Sequence, residues 1–138
     1  MTALLPLLEP EPVEKPRPRR SWRAKFHAAF RGVKLGIRGH SSFFVHFFFT
    51  ALVVAAAIAL GCDRVDWCIL LGCIAMVLVS ELFNSAIETL FKGLDEATKD
   101  QVWPCLDIAA GAVLMASAAA AIIGSIVFIN RLASLLPH

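Results

Sequence analysis

Apolar residues run almost unbroken through three stretches of the chain, Phe43 to Gly61, Trp67 to Phe91 and Leu106 to Ile129. Each approaches or exceeds the roughly 20 residues that a helix needs to cross a hydrocarbon core of about 30 Å. Ahead of them Trp22, Phe26, Ala29, Phe30, Val33 and Ile37 recur at helical spacing, while Arg23, Lys25, Arg31, Lys34 and Arg38 fill much of the remainder. That pattern predicts an amphipathic helix over residues 21–39, with Ser21 as N-cap, lying in the membrane interface. Residues 1–20 hold five of the seven prolines and a Pro-Arg-Pro-Arg-Arg run. They are expected to form a disordered tail whose basic end rests on anionic headgroups. The reading is an all-α membrane protein: a tail, then a membrane domain over residues 21–138 with one surface helix and three spans.

Composition agrees. Of 138 residues 58% are hydrophobic and 17% charged, too little charge to cover a soluble domain of this size. The net charge of +2 hides an asymmetry, because nine of the thirteen Lys and Arg residues fall between Lys15 and Arg38. By the positive-inside rule the N-terminus and the Lys92–Pro104 loop are cytoplasmic, and the Cys62–Asp66 turn and C-terminus lie outside. Nucleic-acid binding is a poor account of the basic segment when three spans follow it. Cys62, Cys68, Cys73 and Cys105 include no C-x-x-C pair and no zinc-finger spacing, so they are expected to pack in apolar surroundings. Phe43, Phe44, Phe47, Phe48 and Phe49 read as an inner-interface anchor, and His40 and His46 near them as structural hydrogen-bonders. Small residues through the third span, from Ala109 to Ser125, allow close helix packing and suggest a bundle of several chains.

One polar stripe interrupts the second span. Glu81, Asn84, Ser85 and Glu88 stand at i, i+3, i+4 and i+7, on one helix face. A charge at mid-bilayer costs roughly 2.5–3.5 kcal/mol or more without partners, so the stripe needs a reason. Antiparallel topology puts Glu88 near the inner face at the level of Asp107, with Glu81 about 10 Å deeper. Three uses fit: hydrogen bonding between helices, a proton or ion path, and phosphoryl transfer at the membrane face. The last needs a base for the acceptor hydroxyl, carboxylates for Mg²⁺ and positive charge near the phosphates. No phosphate-binding Gly-rich loop or soluble kinase motif is present.

The segment Glu81-Leu82-Phe83-Asn84-Ser85-Ala86-Ile87-Glu88 resembles the E-x-x-N-S/T-A-I-E signature of the small prokaryotic diacylglycerol kinases, a family that includes undecaprenol kinases. Asp107-Ile108-Ala109-Ala110-Gly111-Ala112-Val113-Leu114 is similar to that family's K-D-x-x-A-A/G-A-V-L stretch at the expected distance. Phe30-Arg31-Gly32 and Phe43-Phe44-Val45-His46 fit its N-terminal region, so the resemblance spans about Phe26 to Phe128. It implies a homotrimer in the prokaryotic inner membrane that uses MgATP to phosphorylate a lipid hydroxyl, diacylglycerol before undecaprenol. It also implies Glu81 as general base, Glu88 as metal ligand, Asn84 in the same site and Asp107 toward the nucleotide. Three positions depart from the pattern. Leu106 replaces a lysine beside the aspartate, His40 stands where a metal-binding glutamate is expected, and Lys92 where an aspartate often follows. His40 can still ligate a metal, though nitrogen suits Mg²⁺ less well than oxygen. Lys92 or Lys99 is expected to make up part of the missing phosphate contact. A non-enzymatic membrane protein on the same bundle is the reading from another class.

Overall fold

The computed structural model describes residues 21–39 and 41–136, so the expectations for the 1–20 tail and for His40 lie outside the described residues. The described chain is helical: α1 Trp22–Gly39, α2 Ser42–Ala59, α3 Arg64–Lys92, α4 Glu96–Val102 and α5 Pro104–Leu135. Three of these, α2, α3 and α5, are long and apolar enough to cross a membrane.

Local chemistry explains where the helices start and turn. Gly61 takes φ 61°, a left-handed conformation that glycine adopts without a Cβ clash, and this lets the chain reverse after α2. At Asp63 the carboxylate accepts from the Val65 and Asp66 N–H groups, and the Asp66 carboxylate accepts from the Asp63 N–H at 3.1 Å. This reciprocal capping box opens α3. The chain from Lys92 to Pro104, expected as a charged loop, instead contains α4. Its start is capped by Asp95, which accepts from the Thr98 N–H at 3.1 Å and from the Thr98 hydroxyl at 2.7 Å. Pro104 then sits at the first position of α5, where its missing N–H costs nothing. Phe91 and Trp103, 5.7 Å apart and edge-on, brace the two ends of this connection.

Contacts at both ends give the topology. At one end Ala57, Leu70 and Val127 form a buried cluster, joining late α2, early α3 and late α5. Arg131 of α5 donates through Nε to the Leu60 carbonyl at 3.1 Å and through Nη2 to the Gly61 carbonyl. At the other end Ser42, the first residue of α2, meets Glu81 of α3. Hence α2 and α5 both run antiparallel to α3. Trp67, at the start of the second span, packs against the buried cluster together with Val53, Cys62 and Phe128.

Helix α1 docks on α3 through Gly36, where an added Cβ would overlap Leu82 Cδ1. Trp22, Phe26, Phe30 and Val33 are exposed. So are Phe44, Phe48, Ile58, Leu114, Met115, Ile122 and Ile129 on the long helices. At most 17% of any of the three apolar windows is buried within one chain, so most of this surface is left for lipid or other subunits. The same geometry corrects the expectation for the cysteines. Cys73 is buried and Cys62 half-buried, but Cys68 and Cys105 are exposed on helix faces that the single chain leaves uncovered.

Candidate active site

The core of the described chain is apolar except along one face of α3. Glu81 is 2% exposed, Asn84 9% and Ser85 1%, and Glu88 one turn further on is half-buried. The α-helical period puts all four on one side, as their spacing requires.

Glu81 is held from α2. The Ser42 hydroxyl donates to Glu81 Oε1, and His46 Nε2 stands 3.6 Å from Oε2. Ser42 and His46 are themselves four residues apart, so one face of α2 serves both carboxylate oxygens. The His46 side chain is 17% exposed and that of Glu81 3%, so the pair sits in a setting where charge is costly unless compensated. The next level of the stripe is separate. Asn84 Nδ2 donates to Glu88 Oε1 at 2.9 Å, fixing the two side chains relative to each other. The Thr89 hydroxyl donates to the Ser85 carbonyl at 2.8 Å, while the buried Ser85 hydroxyl has no hydrogen-bond partner among the described residues.

Asn84 also lines a cleft of about 460 Å³ between α3 and α5, with Ser80, Phe83, Ile87, Cys105 and Ile108. Because Ile87 faces Cys105 and Ile108 across it, the first turn of α5 lies level with Glu88. Asp107 is in that turn and is exposed. Leu106 beside it is half-buried and brings no charge. Two lysines flank this end. Lys92 is exposed in the last turn of α3, and Lys99 is paired with Glu96 at 2.7 Å.

No group of three or more His, Cys, Asp or Glu side chains that could hold a metal occurs among the described residues. Glu88 and Asn84, adjacent on α3, offer a carboxylate and an amide oxygen as donors for a hard cation, while His40 lies outside the described residues. That set suits Mg²⁺, which typically takes one or two carboxylates and completes its shell with phosphate oxygens and water. Helical spacing alone identifies the α3 stripe, whereas its α2 partners Ser42 and His46 emerge from the structure. His46, expected as a structural hydrogen-bonder, faces Glu81 beside Ser42, for which the sequence carries no expectation. Their four-residue spacing beside the inner boundary was the available signal.

Comparison with known proteins bears on this geometry. A family model described as prokaryotic diacylglycerol kinase matches residues 27–128. The diacylglycerol kinase of Synechocystis sp. is 28% identical over 130 residues, covering 89% of this chain and 74% of the relative. No solved structure matches.

Proposed function

We propose, from the premise that this chain belongs to the prokaryotic diacylglycerol kinase family, that it transfers the γ-phosphate of ATP to the hydroxyl of diacylglycerol, yielding phosphatidic acid and ADP. It works as a homotrimer in the prokaryotic inner membrane, with the N-terminus in the cytoplasm. The observation that carries this reading is the depth ordering on α3: a buried, two-sided carboxylate at Glu81, and one level away the Asn84–Glu88 pair beside the cleft.

Glu81 is the general base. Its carboxylate takes the proton of the lipid hydroxyl while that oxygen forms a bond to the γ-phosphorus, and the bond from phosphorus to the β,γ-bridging oxygen breaks. Each carboxylate oxygen offers two lone pairs, so the contacts from Ser42 and His46 leave room for the incoming proton. Burial excludes water from this step, which protects the transfer against hydrolysis. Glu88 and Asn84 would hold Mg²⁺, which neutralises phosphate charge when bound. Asp107 would contact the nucleotide, and His40 would be a further metal ligand. Lys92 supplies positive charge near the phosphates in place of the lysine that Leu106 displaces; Lys99 is already engaged by Glu96.

The test is transfer of labelled phosphate from ATP to diacylglycerol and to undecaprenol in mixed micelles. Glu81→Gln is expected to lower kcat by about 10²–10⁴-fold, the usual worth of a positioned base. Glu88→Gln is expected to raise the Mg²⁺ concentration needed for half-maximal rate. Lys92→Ala should raise KM for ATP and Lys99→Ala should not; an unchanged KM in Lys92→Ala removes that role. Folded wild-type protein that phosphorylates neither lipid overturns the enzymatic reading, and preference for undecaprenol overturns the acceptor.

A further inference from the structure

We propose that His46 is the positioning residue of the base: with Ser42 it clamps the Glu81 carboxylate so that a lone pair points at the lipid hydroxyl. This rests on Glu81 being the base.

A glutamate side chain has three rotatable bonds, and its terminal torsion is broad. A base that must meet a lipid hydroxyl in one direction gains rate from having that torsion fixed, because proximity and orientation supply much of a catalyst's advantage. The structure provides two fixing contacts, one per oxygen. Ser42 donates to Oε1 and His46 Nε2 faces Oε2 at 3.6 Å. The second distance is beyond hydrogen-bond length, as catalytic contacts often are before substrate binds and closes them. With its proton on Nε2 the imidazole donates toward Oε2, and Glu81 remains an acceptor for the substrate proton.

The surroundings leave His46 little else to serve. Beyond Glu81 it borders a cavity of about 430 Å³ lined by apolar side chains such as Val45, Phe49, Leu70 and Leu78, with Thr50 and Ser117 as small hydroxyls. Among the described residues on that cavity wall, Cys73 is the one other titratable side chain. The described residues of α5 on the wall, Ser117, Ala120, Ala121 and Gly124, carry no charge. A histidine kept at such a wall, with its ring nitrogen turned to the buried acid, is oriented for that acid. The clamp gives α2 its part in the reaction, which is to set the base's direction.

The experiment is steady-state kinetics of the purified full chain in mixed micelles with MgATP and diacylglycerol, for wild type, Glu81→Gln, His46→Phe, His46→Gln and Ser42→Ala. His46→Phe is expected to lower kcat by about 10²-fold, the scale of a misdirected catalytic group, with KM for ATP and lipid unchanged. His46→Gln, whose amide can donate from near the Nε2 position, restores most of kcat. A filler that merely supports packing predicts the reverse, because Phe fills the apolar wall better than Gln. Wild-type kcat in His46→Phe, or no recovery in His46→Gln of equal melting temperature, overturns the clamp. If His46→Phe does not fold, Ser42→Ala and His46→Gln are read instead: a fall in kcat at constant KM for Ser42→Ala supports the clamp, and wild-type kcat there overturns it. The two readings separate cleanly. Loss of activity in Glu81→Gln with full activity in His46→Phe removes only the clamp, whereas an active Glu81→Gln removes the base and the clamp with it.

Discussion

At the scale of single residues, carboxylates divide by depth. Glu81 is tolerable in the bundle because both oxygens meet polar groups from α2, whereas the exposed acids at the helix starts are satisfied by backbone N–H groups. Asp63 titrates below its ordinary 3.8 because the Asp66 and Val65 N–H groups bond its ionised form, and Asp95 does so because of the Thr98 hydroxyl and N–H. A folded value below the unfolded one means these caps stabilise the helix starts above about pH 4 and stop doing so as pH falls through the folded values. Amide exchange at Val65, Asp66 and Thr98 should therefore be slow and flat between about pH 7 and 5, after correction for intrinsic rate, and lose protection below about pH 3.8. Protection that does not fall at all as the pH is lowered through the carboxylate range would show that the caps do not hold these ends. The α3 stripe was legible in the sequence because helical spacing alone puts residues 81, 84, 85 and 88 together. Its partnership with Ser42 and His46 was not, because which residues of α2 meet Glu81 depends on how far the Gly61 turn offsets the two helices.

At the scale of elements, the turn between α2 and α3 is stabilised by two devices acting on the same few atoms. Gly61 permits the reversal, and Arg131 satisfies the Leu60 and Gly61 carbonyls that the end of α2 leaves unpaired. Gly61→Val places a β-branched side chain at positive φ, a strain of about 1–2 kcal/mol. Arg131→Met leaves the two carbonyls without their charged donor, worth about 1.5–3 kcal/mol for such a bond. Each variant should melt at lower temperature in detergent, and the double variant should lose less than the sum, because both act on one turn. Fully additive losses would show that Arg131 stabilises α5 independently of the turn. The three long helices were legible from their nearly continuous hydrophobicity, but α4 was not. Its seven residues hold only Ala97 and Val102 as apolar positions, too few to show a helical period, and the Asp95–Thr98 cap that starts the helix looks like any loop sequence until its geometry is seen.

At the scale of the whole molecule, the antiparallel order of α2, α3 and α5 sorts the native cysteines by membrane side. Cys62 lies in the Gly61 turn, at the end closed by Arg131. Cys105 lies in the first turn of α5, at the end that carries Glu88 and Asp107. If the basic N-terminal segment stays in the cytoplasm, the two thiols face opposite compartments. The chemistry of Cys62 adds a second signature. Burial pushes its thiol above the ordinary 9.0, and the nearby Asp66 charge pushes it the same way, outweighing Arg131. Since the thiolate is the nucleophile, Cys62 should react slowly near neutral pH and faster as pH rises. In right-side-out vesicles, a variant retaining only Cys62 should be labelled by a membrane-impermeant maleimide in the medium, with a rate that climbs steeply with pH. A variant retaining only Cys105 should be labelled only after the vesicles are opened. The inverse pattern would place the Glu88 end outside, away from cytoplasmic ATP, and a kinase site there could not be supplied. The labelling result therefore tests the orientation and, through it, whether the polar end of the bundle can meet its nucleotide at all.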